Sequence, residues 1–229
     1  MAEFSRFENI LPRSYYTTDA LTLAQSLIGK VLVRCTENGL TAGIISETEA
    51  YMGVIDKASH AYNGRRTERT ETLYLPGGHA YVYLIYGIYS CMNITANEGG
   101  NPEAVLIRGV VPCHGFDRML INYADFSACR TRQKKFSAEK YIKAPYKLTD
   151  GPGKLCAAMA IDRNLDKADM CRSSGTYCPT AEIFVADMGI TPVHGISVSP
   201  RIGIDYAEEA ALFPWRFTAN RPSEMMASV

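Results

Sequence analysis

The stretch Ala80-Tyr81-Val82-Tyr83-Leu84-Ile85-Tyr86-Gly87-Ile88-Tyr89-Ser90-Cys91-Met92-Asn93-Ile94 carries no charged residue. Gly, Ser and Asn interrupt it, so it is a poor bilayer span, which needs about 20 consecutive apolar residues. Its β-branched and aromatic content predicts strands. Gly87 is the natural reversal point, giving a hairpin of Ala80–Tyr86 and Ile88–Ile94 with Tyr86 near its tip. Working outward, Val31–Val33, Thr41–Met52, Val105–Val111, Ile183–Ala186, Ile196–Val198 and Arg201–Ile204 also read as strands. Thr17–Gly29 reads as a capped helix with Gly29 at its C′ position. Gly151-Pro152-Gly153-Lys154 opens a second helix, to about Ile161, with Pro152 in the tolerated first turn. Cys113–Thr149 reads as an irregular excursion from the sheet, and the tail after Arg221 as frayed. Strands with irregularly inserted helices predict an α+β fold. We expect one domain over 1–229, with a curved, mainly antiparallel sheet core and surrounding helices.

The chain has 229 residues, of which 47% are hydrophobic, enough to bury a core. Lys+Arg and Asp+Glu are 24 each, which excludes a uniformly basic protein. Between Ala128 and Lys154, however, eight cations (130, 132, 134, 135, 140, 143, 147, 154) meet two acids (139, 150), a local +6 that the rest of the chain cancels with −6. The seven cysteines include no C-x-x-C pair, so neither a disulfide framework nor a zinc site is expected. They read as buried thiols of a reducing compartment. Met1–Thr17 lacks the apolar core of a signal peptide.

Candidate chemistry concentrates in Glu47-Thr48-Glu49-Ala50-Tyr51, followed by Asp56, His60, Arg65, Arg66 and Arg69. On a strand, Glu47, Glu49 and Tyr51 share one face. Unpaired buried carboxylates cost several kcal/mol each, so periodicity alone favours a solvated face. Seven of the 14 tyrosines lie between Tyr51 and Tyr89. Tyrosine offers a flat π-face with a polar tip, suited to a pocket for a planar ring or to a sheet core. Cys91, His60 and Asn93 would be the parts of a cysteine hydrolase, though no spacing supports that reading.

Glu47–His60, the run Pro76-Gly77-Gly78-His79-Ala80 through Gly87, Asn93, Val105-Leu106-Ile107-Arg108, Gly151-Pro152-Gly153-Lys154-Leu155 and Pro200-Arg201-Ile202-Gly203-Ile204 occur as ordered blocks. In them the chain resembles the alkyladenine (3-methyladenine) DNA glycosylase family of mammalian type, over roughly Leu11–Pro222. Its length and its Pro214-Trp215-Arg216-Phe217 ending look more like the bacterial members. The connection carrying Gly99-Gly100-Asn101-Pro102 is slightly longer than in the animal ones.

The resemblance implies a monofunctional glycosylase that flips alkylated or deaminated purines out of the duplex and starts base excision repair. The implied substrates are 3-methyladenine, 7-methylguanine, hypoxanthine and ethenoadenine. It implies Glu49 as the carboxylate that activates water, with Arg108 favouring its ionised form. Tyr51, His60 and Tyr83 would sandwich the base, and Asn93 would crowd the exocyclic amine of normal guanine. Tyr86 would fill the gap left by the flipped nucleotide. Arg65, Arg66, Arg69 and Lys154 are candidate phosphate contacts. No metal or cofactor is expected. The partner would be double-stranded DNA carrying a damaged purine, met by a monomer with no obligate protein partner and no membrane contact, in the cytoplasm at the nucleoid. The alternative is a non-catalytic nucleic-acid-binding module that keeps the tyrosine platform.

Segregated charge with zero net charge predicts DNA binding confined to one face. Duplex affinity measured across a salt series should fall as salt rises, on a log–log plot. A slope near zero would contradict a basic DNA-binding face.

Overall fold

In the computed structural model of this chain, residues 5–130, 136–171 and 183–228 are described. Arg132, Lys134, Lys135 and Cys178 lie outside them. Among the described residues eight strands form one sheet: β1 (Val31–Thr36), β2 (Gly39–Tyr51), β3 (Ala80–Ile85), β4 (Tyr89–Ala96), β5 (Glu103–His114), β6 (Ile183–Ala186), β7 (Ile196–Ser199) and β8 (Arg216–Ala219). All pairings are antiparallel, in the order β3-β4-β5-β2-β1-β6, with β8 pairing both β2 and β7. This is the expected α+β architecture, a curled antiparallel sheet with helices around it.

Strand β2 is the branch point. Its first half pairs β1 from Gly39 to Ile44, and Glu47–Glu49 pair β8. Strand β5 runs along its other edge, with register shifts on both sides of Glu47. Such irregularities bend a strand and re-aim its side chains. Thr48 is buried and donates through Oγ1 to Ala24 O at 2.8 Å. Its face is therefore covered by the helix that holds Ala24, and Glu47, Glu49 and Tyr51 point the other way.

Among the described residues five helices flank the sheet: α1 (Arg13–Tyr16), α2 (Ala20–Ser26), α3 (Phe116–Arg130), α4 (Glu139–Lys143) and α5 (Pro152–Ala158). Asp19 caps α2 by accepting from Thr22 N at 2.9 Å, and Leu23, Ala24 and Leu27 bury its inner face. Pro152 starts α5 as expected, and the helix ends at Ala158, short of Ile161. A Cβ on Gly153 would come within 2.7 Å of the Tyr89 ring, so α5 seats closely on β4.

Four expectations need correction. The supposed excursion after Cys113 holds the 15-residue helix α3. Among its described side chains only Met119 is buried, so its apolar stripe is too narrow to read. Arg201–Ile204 is a loop, because the Arg201 side chain turns into the interior. The tail beyond Arg221 is a 3-10 segment, Pro222–Ser228, anchored by buried Met225. Of six free cysteines described, only Cys91 and Cys156 are buried, and Cys129 is exposed.

The hairpin is formed as expected. Ile88 N bonds Ile85 O at 3.1 Å around Tyr86 (φ 54°) and Gly87 (φ 67°). Two positive φ values make the tight turn that suits strand twist. Glycine adopts that conformation freely. Tyrosine there costs about 1–2 kcal/mol, and this one is 83% exposed. Tyr86→Asn should therefore raise the melting temperature by roughly 2–4 °C, the shift expected for about 1 kcal/mol in a chain this long. Gly87→Ala should lower it by a similar amount. Thermal melts of the two variants check both signs.

Candidate active site

A cavity of about 430 Å³ opens beside the β3–β4 hairpin. Tyr81 and Tyr83, two apart on β3, share the face that lines it, with ring centroids 5.3 Å apart. His60 meets the Tyr83 ring edge-on at 4.6 Å, and its Nδ1 lies 2.8 Å from the Tyr81 hydroxyl. Asn93 is the cross-strand partner of Tyr81. Its Nδ2 donates to Tyr81 O at 3.2 Å, so it both caps backbone and lines the cavity. Tyr51 and Arg108 complete the inner wall, and Tyr86 stands at the edge. The structure thus gathers Tyr51, His60, Tyr83, Asn93, Arg108 and Tyr86 around one space.

Glu49 lies directly behind this wall with 0% exposure. The solvated face suggested by periodicity is not what forms. Three cavity-lining residues hold its carboxylate. The Tyr51 hydroxyl donates to Oε2 at 2.9 Å, and Ile202 N–H donates to Oε1 at 2.8 Å. Arg108 Nη1 lies 3.3 Å from Oε1. A carboxylate has about four lone-pair sites, so the two hydrogen bonds leave room for a further donor.

Arg108 bonds more closely to Glu47, through Nε at 2.9 Å, and Arg216 Nε is 3.0 Å from the same oxygen. Burial pushes the Glu49 carboxyl above its ordinary value, and Arg108, Ile202 N–H and the Tyr51 hydroxyl pull it back only in part. The expected support from Arg108 is therefore present and is outweighed by desolvation. The same burial raises the Tyr51 and Tyr83 hydroxyls and lowers His60 to about 4.

Ile202 owes its position to its neighbour. Arg201 donates to both Asp56 oxygens at 2.5 and 2.8 Å and to Ala50 O at 2.9 Å. Its guanidinium lies between the Tyr51 and Trp215 rings, 4.7 and 4.9 Å from their centroids. Such stacking and two-pronged bonding suit arginine and not lysine. Sequence reasoning noted Asp56 and the Arg201 block but assigned neither a place in the site. Their partners are 145 residues apart, and no local pattern announces the pairing.

The candidate phosphate contacts are not brought together. Arg66 pairs with Glu71 at 2.5 Å and covers the Tyr74 ring. Lys154 pairs with Asp150 at 2.6 Å. Arg65 is exposed. Arg69 is exposed too, yet it lines the cavity, 5.3 Å from the Tyr83 ring centroid. Among the described residues no His, Cys, Asp and Glu cluster could hold a metal ion. No described helix is long and apolar enough to cross a membrane. A cysteine hydrolase fits poorly, because burial pushes the Cys91 thiol up to about 11 and His60 is bonded to Tyr81.

Comparison with known proteins places the chain in a family. The family model described as Methylpurine-DNA glycosylase matches residues 14–223. A Clostridium botulinum (strain Alaska E43 / Type E3) protein named "Putative 3-methyladenine DNA glycosylase" is 45% identical over 208 residues, covering 91% of this chain and 94% of its own. Proteins of the same name from Clostridium perfringens (strain SM101 / Type A) and Clostridioides difficile (strain 630) are 46% and 41% identical. Each covers 90% of this chain, and 94% and 98% of their own lengths respectively. With a family match over almost its whole length, the chain belongs to the methylpurine-DNA glycosylase family.

Proposed function

We propose that this chain hydrolyses the N-glycosidic bond of alkylated or deaminated purines flipped out of duplex DNA, and so initiates base excision repair. The observation that carries the reading is a fully buried carboxylate, Glu49, held by two hydrogen bonds and the Arg108 charge, all from residues that line an aromatic cavity. A cavity of about 430 Å³ is of ligand-pocket size. A simple stacking platform needs no buried acid, so this feature favours the enzyme over the binding module. The family and the names of the relatives support the same choice.

In this reading the flipped base lies among Tyr51, His60 and Tyr83. Aromatic faces favour a cationic alkylpurine by roughly 0.5–2 kcal/mol per contact and still accept neutral planar lesions. Asn93 crowds the exocyclic amine of guanine, and Tyr86 fills the gap in the stack. A water bonded to the open lone pair of Glu49 gives up its proton to the carboxylate as its oxygen bonds C1′. The C1′–N9 bond breaks, its electrons leave with the base, and the sugar keeps the hydroxyl. No lysine adduct is formed. Arg65, Arg66 and Lys154 meet phosphates, the last two by exchanging acid partners for the backbone. The protein acts as a monomer, at the nucleoid in the cytoplasm.

Removing a general base costs about 10²–10⁴-fold. Glu49→Gln should therefore lose base release by that factor in single-turnover assays while keeping lesion-duplex affinity within a few-fold. Wild-type release would sink the assignment. The acid limb of kcat/KM reports the free enzyme's base. Because Glu49 is raised, activity should be lost as pH falls at a higher pH than an exposed glutamate titrates. Arg108→Gln removes an attraction for the ionised form and should move that limb further up. A limb that does not move would separate Glu49 from the observed ionisation.

A further inference from the structure

Arg108 reaches two carboxylates on one face of β2 and does not treat them alike. Its Nε donates to Glu47 Oε1 at 2.9 Å, whereas its Nη1 lies 3.3 Å from Glu49 Oε1, an ion pair without a hydrogen bond. Glu47 is held from its other side by Arg216, whose Nε lies 3.0 Å from the same oxygen. The sheet builds this arrangement. Glu47 faces Gly109 and Thr48 faces Ile107, which leaves Arg108 without a partner across β2. Arg108 is thus the extra residue of a bulge, a place where a side chain is re-aimed. Strand β8 sets Arg216 opposite Glu49, yet the side chain goes to Glu47. Glu47 therefore takes the close contact with both cations, and the fully buried Glu49 keeps the longer one with Arg108.

A guanidinium fits a carboxylate two-pronged, through two parallel N–H bonds. Freed from Glu47, the fork of Arg108 could turn onto Glu49. Two such bonds would fill the lone pair that a water needs and stabilise the carboxylate against taking a proton. We propose that Glu47 is a positioning residue: anchored by Arg216, it binds Arg108 through Nε and holds that guanidinium off Glu49, which keeps a lone pair of Glu49 open to water and its carboxylate a strong base. This role rests on the reading of Glu49 as the residue that activates water. Glu47 is not among the residues that line the cavity, so its effect on the base comes through Arg108 or through charge alone. The groups that face Glu49 are Glu47 and Tyr51 from β2, Cys91 from β4, Arg108 from β5 and Ile202 N–H from the segment after β7. Arg201 lies beyond the Tyr51 ring, and Arg216 from β8 meets Glu47. Burial is the largest influence and raises the Glu49 carboxyl, Arg108 lowers it, and the charge of Glu47 raises it. Loss of Glu47 would lower that carboxyl by charge as well as by releasing Arg108, so a single variant does not part the two.

Two variants do. Glu47→Gln removes one charge, and Glu47→Gln/Arg216→Gln removes an acid together with its cation, so the cluster keeps its net charge. Carbon NMR of the Glu49 side-chain carboxyl in the free proteins reads its titration midpoint. Single-turnover release of hypoxanthine, a neutral base, reads its strength as a base, with lesion-duplex affinity measured alongside. Both variants should titrate Glu49 below wild type, the paired one by about one pH unit, the low end of what an opposite charge at close range produces. The acid limb of kcat/KM should move down with it, the reverse of the shift expected for Arg108→Gln. Above that limb, release should slow several-fold in both variants while affinity stays within a few-fold. A Glu49 midpoint in the paired variant at or above wild type means that charge alone is at work and overturns the proposal. An unchanged rate of release above the limb overturns it too. Where Glu47→Gln fails to fold, the paired variant, which removes the cation left unmatched, carries the same expectations. A wild type that releases no base from any lesion would instead sink the glycosylase reading, and the NMR midpoints would still decide whether Glu47 holds Arg108 off Glu49.

Discussion

A carboxylate cut off from water is only as stable as the donors around it, and Glu49 is such a carboxylate. Its desolvation costs several kcal/mol, which two hydrogen bonds and the charge of Arg108 must offset. Each donor is itself fixed by a further contact. Arg108 is drawn to Glu47, and Glu47 also draws Arg216. The sequence Glu49, Arg108, Glu47, Arg216 alternates in sign across β2, β5 and β8. That alternation is available only where β5 and β8 flank β2 at the same residues. The branch in the sheet and the irregular register around Glu47 therefore serve the charge cluster as much as the core.

The second support is longer in reach. Ile202 N–H can meet Glu49 because Arg201 is clamped by Asp56 and by two backbone carbonyls, with aromatic rings on either side. A buried Arg–Asp pair seldom adds much stability over an apolar substitute, and breaking one side of it costs about 3–5 kcal/mol. Its value here is positional. It joins the end of β2, the loop after it and the segment after β7, which together carry Tyr51, His60 and Ile202. Tyr51 is used twice, as a hydroxyl donor to Glu49 and as a π-face for Arg201.

How much of this the sequence discloses depends on the range of each interaction. The hairpin was legible because its cause is local: apolar residues on both sides of a glycine. The shared face of Glu47, Glu49 and Tyr51 was legible because strands alternate. Whether that face met water or a cavity was not, because the covering residues, Ile202 and Arg216, lie more than 150 residues away in the chain. Strand β8 spans only Arg216–Ala219 and announces itself weakly. Arg201–Ile204 carries two isoleucines and looked like a strand, yet the ion pair of Arg201 with Asp56 decides its path. The grouping of the site residues came from ordered blocks resembling a family, which record long-range contacts that periodicity does not.

The charges around the cavity are largely compensated. Glu47 and Glu49 are matched by Arg108 and Arg216, and Asp56 by Arg201, so each buried cluster is close to neutral. Arg69 has no acid within ion-pair distance among the described residues, so its charge is left over. Arg69 is exposed, however, and water and salt screen a charge there strongly. The uncompensated charge therefore sits where solvent weakens it, while the buried clusters stay close to neutral.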